Sequence, residues 1–171
     1  MDAANLLLAV RLTARLSALL FAAALIAPVF LRQRQRLALA PFVAFVVAHT
    51  VHFSFVIGLV LETGGEGMFP GGRDVADAGG LPAVFGIFSF FYLLAGLALV
   101  QRRAGTSAGK LLHVAGRFAT VFLGYMFVST YVPLVERSHW YALPTALVVT
   151  AVVVDLLAGK LRQISCLRRA R

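Results

Sequence analysis

The sequence predicts an all-α integral membrane bundle of about five transmembrane helices, and three observations carry that prediction. The chain is 60% hydrophobic with 13% charged residues and has a mean hydropathy of +0.88, a composition foreign to soluble globular domains. Five apolar runs reach or approach the roughly 20 residues that cross a hydrocarbon core as a helix. The basic residues gather beyond alternate runs instead of spreading along the chain.

The first run covers about 5–30 and is interrupted by Arg11 and Arg15. Those charges, and the lack of an A-x-A-like cleavage site before a polar mature region, make it structure and not a signal peptide. The second run, about 37–61, contains VAHTVHFSFV, with His49 and His52 three residues apart among Val, Ala and Phe. A third run lies at about 81–101, a fourth at 111–135, and the fifth and shortest at 143–159. Together they make a single transmembrane domain over residues 1–171, without an internal repeat. Seven glycines from Gly64 to Gly80 mark a flexible connection between the second and third helices. No strand precedes that stretch and no Gly-Lys-Ser/Thr follows it, so it is not a phosphate-binding loop.

Charge sets the expected orientation. Arg32, Arg34 and Arg36 follow the first run, Arg102, Arg103 and Lys110 lie between the third and fourth, and Lys160, Arg162, Arg168, Arg169 and Arg171 follow the fifth. If five helices alternate, these three segments share one side, and the positive-inside rule makes it cytoplasmic. The amino terminus is then outside and the carboxyl terminus in the cytoplasm of a bacterial inner membrane. The formal net charge of +9 therefore reads as a topology signal and an attraction to anionic lipid, not as a nucleic-acid surface. The single cysteine, Cys166, excludes a disulfide framework and CxxC chemistry.

Ionisable groups in hydrocarbon cost several kcal/mol or require partners, so each one in a span needs a reason. On a helix His49 and His52 share a face, about 18 Å and 22 Å from the inner end of the second run at ~1.5 Å per residue. A third imidazole, His113, opens the fourth run in KLLHVAGRF, about 5 Å from the same boundary. Histidines on facing helices are how bundles hold haem or metal, whereas a lone one serves an interhelical hydrogen bond. Arg117, four residues after His113, is read either as a propionate partner or as a side chain snorkelling to the headgroups. Arg15 requires an acid, helix-end carbonyls or an anionic cofactor group. Asp155 is the one acid within a run. His139, Trp140 and Tyr141 read as an interfacial aromatic belt.

The order of these motifs, RLTARLSALLFAAALIAP, an Arg-rich turn, a helix with AHTVH, a Gly-rich loop and a later helix opening with LLHVAGRF, resembles small ferric-reductase-like membrane proteins. The haem-binding membrane subunit of bacterial methionine sulfoxide reductase systems and the cores of ferric reductases and NADPH oxidases are larger proteins of that type. The resemblance implies haem b, with His49 or His52 and His113 as iron ligands. Where the family pattern carries a second histidine about a dozen residues after the Leu-His pair, this chain has Met126, a residue able to ligate haem iron.

The expected function is thus an inner-membrane b-type haem protein relaying electrons. No flavin or nicotinamide fingerprint is present, so donor and acceptor are separate proteins or a quinone, and turnover of its own stays open. Two other classes fit the same residues. One is a copper or zinc site built from His49, His52 and His113 with Met126. The other is a non-catalytic assembly or channel subunit whose histidines bond between helices.

Overall fold

The computed structural model describes residues 2–31, 34–66, 80–104, 110–136 and 138–169. The glycine-rich connection from residue 67 on, residues 105–109 and Arg32 lie outside them. Five long helices, and no strand, occur among the described residues: α1 (Ala3–Phe30), α2 (Gln35–Thr63), α3 (Gly80–Ala104), α4 (Lys110–Val135) and α5 (Ala142–Arg169). All five contain a segment long and apolar enough to cross a membrane.

Local chemistry explains the helix ends. Asp2 caps α1, its carboxylate accepting the Asn5 N–H at 2.8 Å, where the helix dipole favours an acid. At the other end of α2 the chain leaves through Gly64 at φ 69°, a left-handed conformation that glycine adopts without a Cβ clash. Pro28, Pro41 and Pro133 lie inside α1, α2 and α4. Each removes one i to i−4 backbone hydrogen bond, an interruption that membrane helices tolerate. Hydroxyls within the spans turn back on their own helices: Thr50 donates to the Val46 carbonyl at 2.8 Å, Thr120 to Gly116 at 3.0 Å and Thr145 to Tyr141 at 2.7 Å.

The helix expected at 143–159 is the one whose extent differs most, because α5 continues to Arg169. Gly159 does not end it: no proline follows, and Lys160, Leu161, Arg162 and Gln163 are all good helix formers. The apolar part of this last segment is His139–Leu161, so the final two turns carry the basic residues beyond the span.

Neighbours in sequence are neighbours in space. Helix α1 packs on α2 and on α5, α4 packs on α5 and on α3, and a thinner seam between α2 and α3 completes a five-membered ring. Directions alternate, as residue pairs show. Thr13 meets His52 while Phe21 meets Phe45 across α1 and α2. Tyr131 meets Tyr141 while Arg117 meets Asp155 across α4 and α5.

The interior is aromatic at its centre and small at the helix contacts. Phe21, Phe42, Phe45 and Tyr131 are fully buried, with Leu25 and Leu123. Ala18, Ala22, Ala98, Ala119 and Ala151 let the backbones approach, which is how membrane helices associate when burial of apolar area gives no preference over lipid. Gly124 serves the same purpose, since a Cβ there would run into Val152. Outward positions such as Leu12, Leu93, Val121, Leu143 and Val153 are exposed and face where acyl chains would lie.

Candidate functional site

Midway along α2, whose apolar span is Leu37–Thr63, the two imidazoles project into the aromatic interior. The ring of His49 lies 4.4 Å from Phe53, 5.1 Å from Phe45, 5.5 Å from Phe127 and 6.4 Å from Phe91, centroid to centroid. His52 stacks beside it at 5.6 Å with planes 23° apart, as the three-residue spacing requires on a helix. Three helices, α2, α3 and α4, therefore surround His49, and α1 supplies a contact to His52.

That contact fixes a tautomer. Thr13 Oγ1 lies 3.0 Å from His52 Nδ1 and 2.7 Å from the Ala9 carbonyl. A hydroxyl has one proton, and the short approach to a carbonyl needs it. The oxygen of Thr13 is therefore the acceptor, and His52 Nδ1 is the donor. In its neutral form His52 then has a bare lone pair on Nε2, the state in which imidazole binds metal.

His49 has no such support. Its Nδ1 is buried without a hydrogen-bond partner, and no bond to either of its nitrogens occurs among the described residues. A buried polar atom left unpaired costs about 1–3 kcal/mol, and in native structures it calls for an ion, a water or a functional role. Midway through a membrane, His49 thus keeps one buried imidazole nitrogen unpartnered.

The remaining predicted residues are distributed over two levels. His113 stands in the first turn of α4, and its side chain lies outside the described residues. On the same helix Phe127, which touches His49, is fourteen positions further on, about 21 Å along the axis at ~1.5 Å per residue. The fold thus does not bring His113 to the level of the α2 pair, and a haem with one axial imidazole from α2 and another from His113 does not fit these heights. Nor can His49 and His52 take opposite faces of one macrocycle, because the helix joining them would cross its edge. At this level α2 supplies imidazole nitrogen as the donor a haem or metal would need. Met126 adjoins Phe127 and packs against the same core.

Arg117 is engaged elsewhere. Its guanidinium donates to the Asp155 carboxylate at 3.0 Å and to the Asp155 carbonyl at 3.2 Å, and Gly159 makes room for it, since a Cβ there would collide with the guanidinium. Arg15 lies at the opposite end of the α1–α5 contact, with its guanidinium carbon 4.5 Å over the ring of Tyr141. Among the described residues no three His, Cys, Asp or Glu side chains converge as a metal site.

Comparison of the chain with protein-family models, with characterised proteins and with solved structures finds no match.

Sequence reasoning missed three participants. Thr13 has no signal in a single sequence, because a threonine in an apolar helix usually bonds to its own backbone. The Arg117–Asp155 pair was within reach, as each is an isolated charge near the same end of neighbouring spans. Tyr131 gave no warning either, being one of several aromatics in its run.

Proposed function

We propose that this chain is an electron-relaying membrane protein that holds a haem b by a single imidazole from α2, in a bacterial inner membrane with its amino terminus outside. The observation that carries the reading is the state of the histidine pair: His52 Nδ1 is anchored on Thr13, so that in the neutral ring the lone pair is on Nε2. Beside it, half-buried His49 packs among phenylalanines with an unpartnered buried nitrogen. An anchored Nδ1 and a free Nε2 is the arrangement by which proteins orient an axial imidazole. The aromatic surround excludes water and lowers the local dielectric. Haem supplies the one-electron chemistry when bound; the chain binds, orients and insulates it. Donor and acceptor are separate molecules, a protein or a quinone.

A second reading has one observation in its favour. The Thr13–His52 bond also joins α1 to α2, as a hydrogen bond between the helices of a cofactor-free assembly subunit would. It leaves His49 unexplained.

A reduced-minus-oxidised absorption spectrum of detergent-purified protein, expressed with ample haem, separates the two. Under the haem reading, α and Soret bands are present, are lost or displaced in His52→Ala or His49→Ala, and survive in His113→Ala. A featureless spectrum from folded, haem-supplied protein selects the second reading.

A further inference from the structure

Arg15 poses a problem of its own. A guanidinium cannot be deprotonated in a protein, and within a membrane span its charge demands compensation. Among the described residues Arg15 makes no hydrogen bond or ion pair, and its Nε is buried without a partner. Of the described acids, Asp2, Glu62, Glu66 and Glu136 are exposed, while Asp155 sits with Arg117. Only the ring face of Tyr141 attends the charge, at 4.5 Å, and a ring quadrupole offsets part of it.

A second unpartnered group lies next to the first. Tyr131 on α4 is almost wholly buried, its hydroxyl has no hydrogen-bond partner, and its ring is 5.6 Å from that of Tyr141. A fork of charged N–H donors near a phenolic O–H donor, neither with an acceptor among the described residues, is complementary to an oxyanion. The location adds to this. Tyr141 belongs to the short 3-10 turn His139–Tyr141, which begins the span His139–Leu161, and neighbouring Trp140 is 78% exposed. Long side chains on a helix lean toward its N-terminus, which carries the Arg15 head toward this end of the bundle. Charged heads and aromatic rings at that level belong to the membrane interface.

We propose that Arg15, with Tyr141 beneath it and Tyr131 beside it, is a receptor for an oxyanion carried by an amphiphile. Two sources have that chemistry: the headgroup of an anionic lipid and the carboxylate of a bound haem. The inference does not rest on the haem reading, because the lipid source needs no cofactor.

The test uses the full chain in nanodiscs, without haem and with it. Haem-free wild type and Arg15→Gln are melted in phosphatidylcholine and in phosphatidylcholine mixed with phosphatidylglycerol. Comparing the two chains cancels the response of the basic turns at the other end. An anionic-lipid rise in Tm that is present in wild type and absent in Arg15→Gln establishes the site with lipid as its source. No such difference, but haem affinity about ten- to a hundredfold weaker in Arg15→Gln, as loss of a charge-assisted bond implies, establishes it with the haem carboxylate. Equal lipid response and equal haem affinity in both chains overturn the proposal. Should Arg15→Gln fail to fold, Arg15→Lys keeps the charge without the fork, and Tyr131→Phe removes only the hydroxyl. Each is expected to weaken the same response, and unchanged responses in both overturn the proposal.

Discussion

The hydroxyl oxygen of Thr13 and Nδ1 of His52 lie 3.0 Å apart across α1 and α2, and the hydroxyl proton already belongs to the Ala9 carbonyl. The bond is directional, with His52 the donor. Thr13→Val keeps the shape and removes the acceptor. A double-mutant cycle with His52→Ala, read by Tm or by unfolding in mixed micelles, is expected to give a coupling near ~0.6 kcal/mol, the typical strength of an interhelical hydrogen bond in a membrane. Zero coupling would mean that Thr13 and His52 do not bond. In haem-loaded protein the same Thr13→Val change should also shift the reduction potential, because Nδ1 bonding tunes an axial imidazole.

His49 presents the opposite balance. Its ring is enclosed by Phe45, Phe53, Phe91 and Phe127, and its Nδ1 has no partner. His49→Phe therefore stabilises the haem-free protein by about 1 kcal/mol, at the lower end of what an unpaired buried polar atom costs, because the larger ring offsets part of the gain. A higher Tm with altered haem bands would mark a residue kept for a ligand at the expense of the fold. A lower Tm in haem-free protein would show that the imidazole nitrogens have a partner.

The pair Arg117–Asp155 gives a structural prediction at the far end of the bundle. Asp155 is buried, and Arg117 is 23% exposed at its side chain. Removing either partner alone, as Arg117→Leu or Asp155→Leu, should cost about 1–3 kcal/mol, less than a fully buried pair because of that exposure. The double replacement should cost less than either single change, since no charge is then stranded. Unfolding measured for the three variants decides it, and a double variant worse than both singles would refute the account.

Gly159→Ala tests the same contact from the other side. The added methyl meets the Arg117 guanidinium, so the side chain must move and the bond to Asp155 lengthen. Destabilisation close to that of Asp155→Leu, and absent when Gly159→Ala is made on an Arg117→Leu background, is the expected pattern.

Orientation is tested by reporter fusions. In the proposed orientation the segments past Phe30, past Val100 and past Gly159, which carry the basic residues, lie in the cytoplasm. A phosphatase fused after Arg171 should be inactive and a fluorescent cytoplasmic reporter active; the reverse result overturns the orientation.

How much of this was legible in the sequence depends on the physical signal involved. Hydropathy and length give α1 to α4 to within about three residues at each end, because lipid imposes a length that a soluble core does not. The far end of α5 was not legible, since Lys160 and the residues after it are compatible with helix whether or not a membrane surrounds them. The histidine pair declared itself by being out of place among Val and Phe, and helical spacing gave the shared face. Its partner Thr13 depends on the register of α1 against α2, which one sequence does not contain. Likewise the height of His113 relative to His49 could be reckoned from rise per residue, but it takes contacts such as that between His49 and Phe127 to tie the two helices to one scale.

Three contacts of α4 with α5 and the turn that leads into it fall at successive heights: Tyr131 on Tyr141, Gly124 against Val152, and Arg117 on Asp155. They act as a vernier. Sliding α5 by one turn, about 5.4 Å, would unstack the tyrosines, drive a larger contact onto the glycine notch and strand two opposite charges in the same movement. In a bilayer, where greasy faces are interchangeable with lipid and with each other, such a graded set of unlike contacts gives these two helices a single alignment.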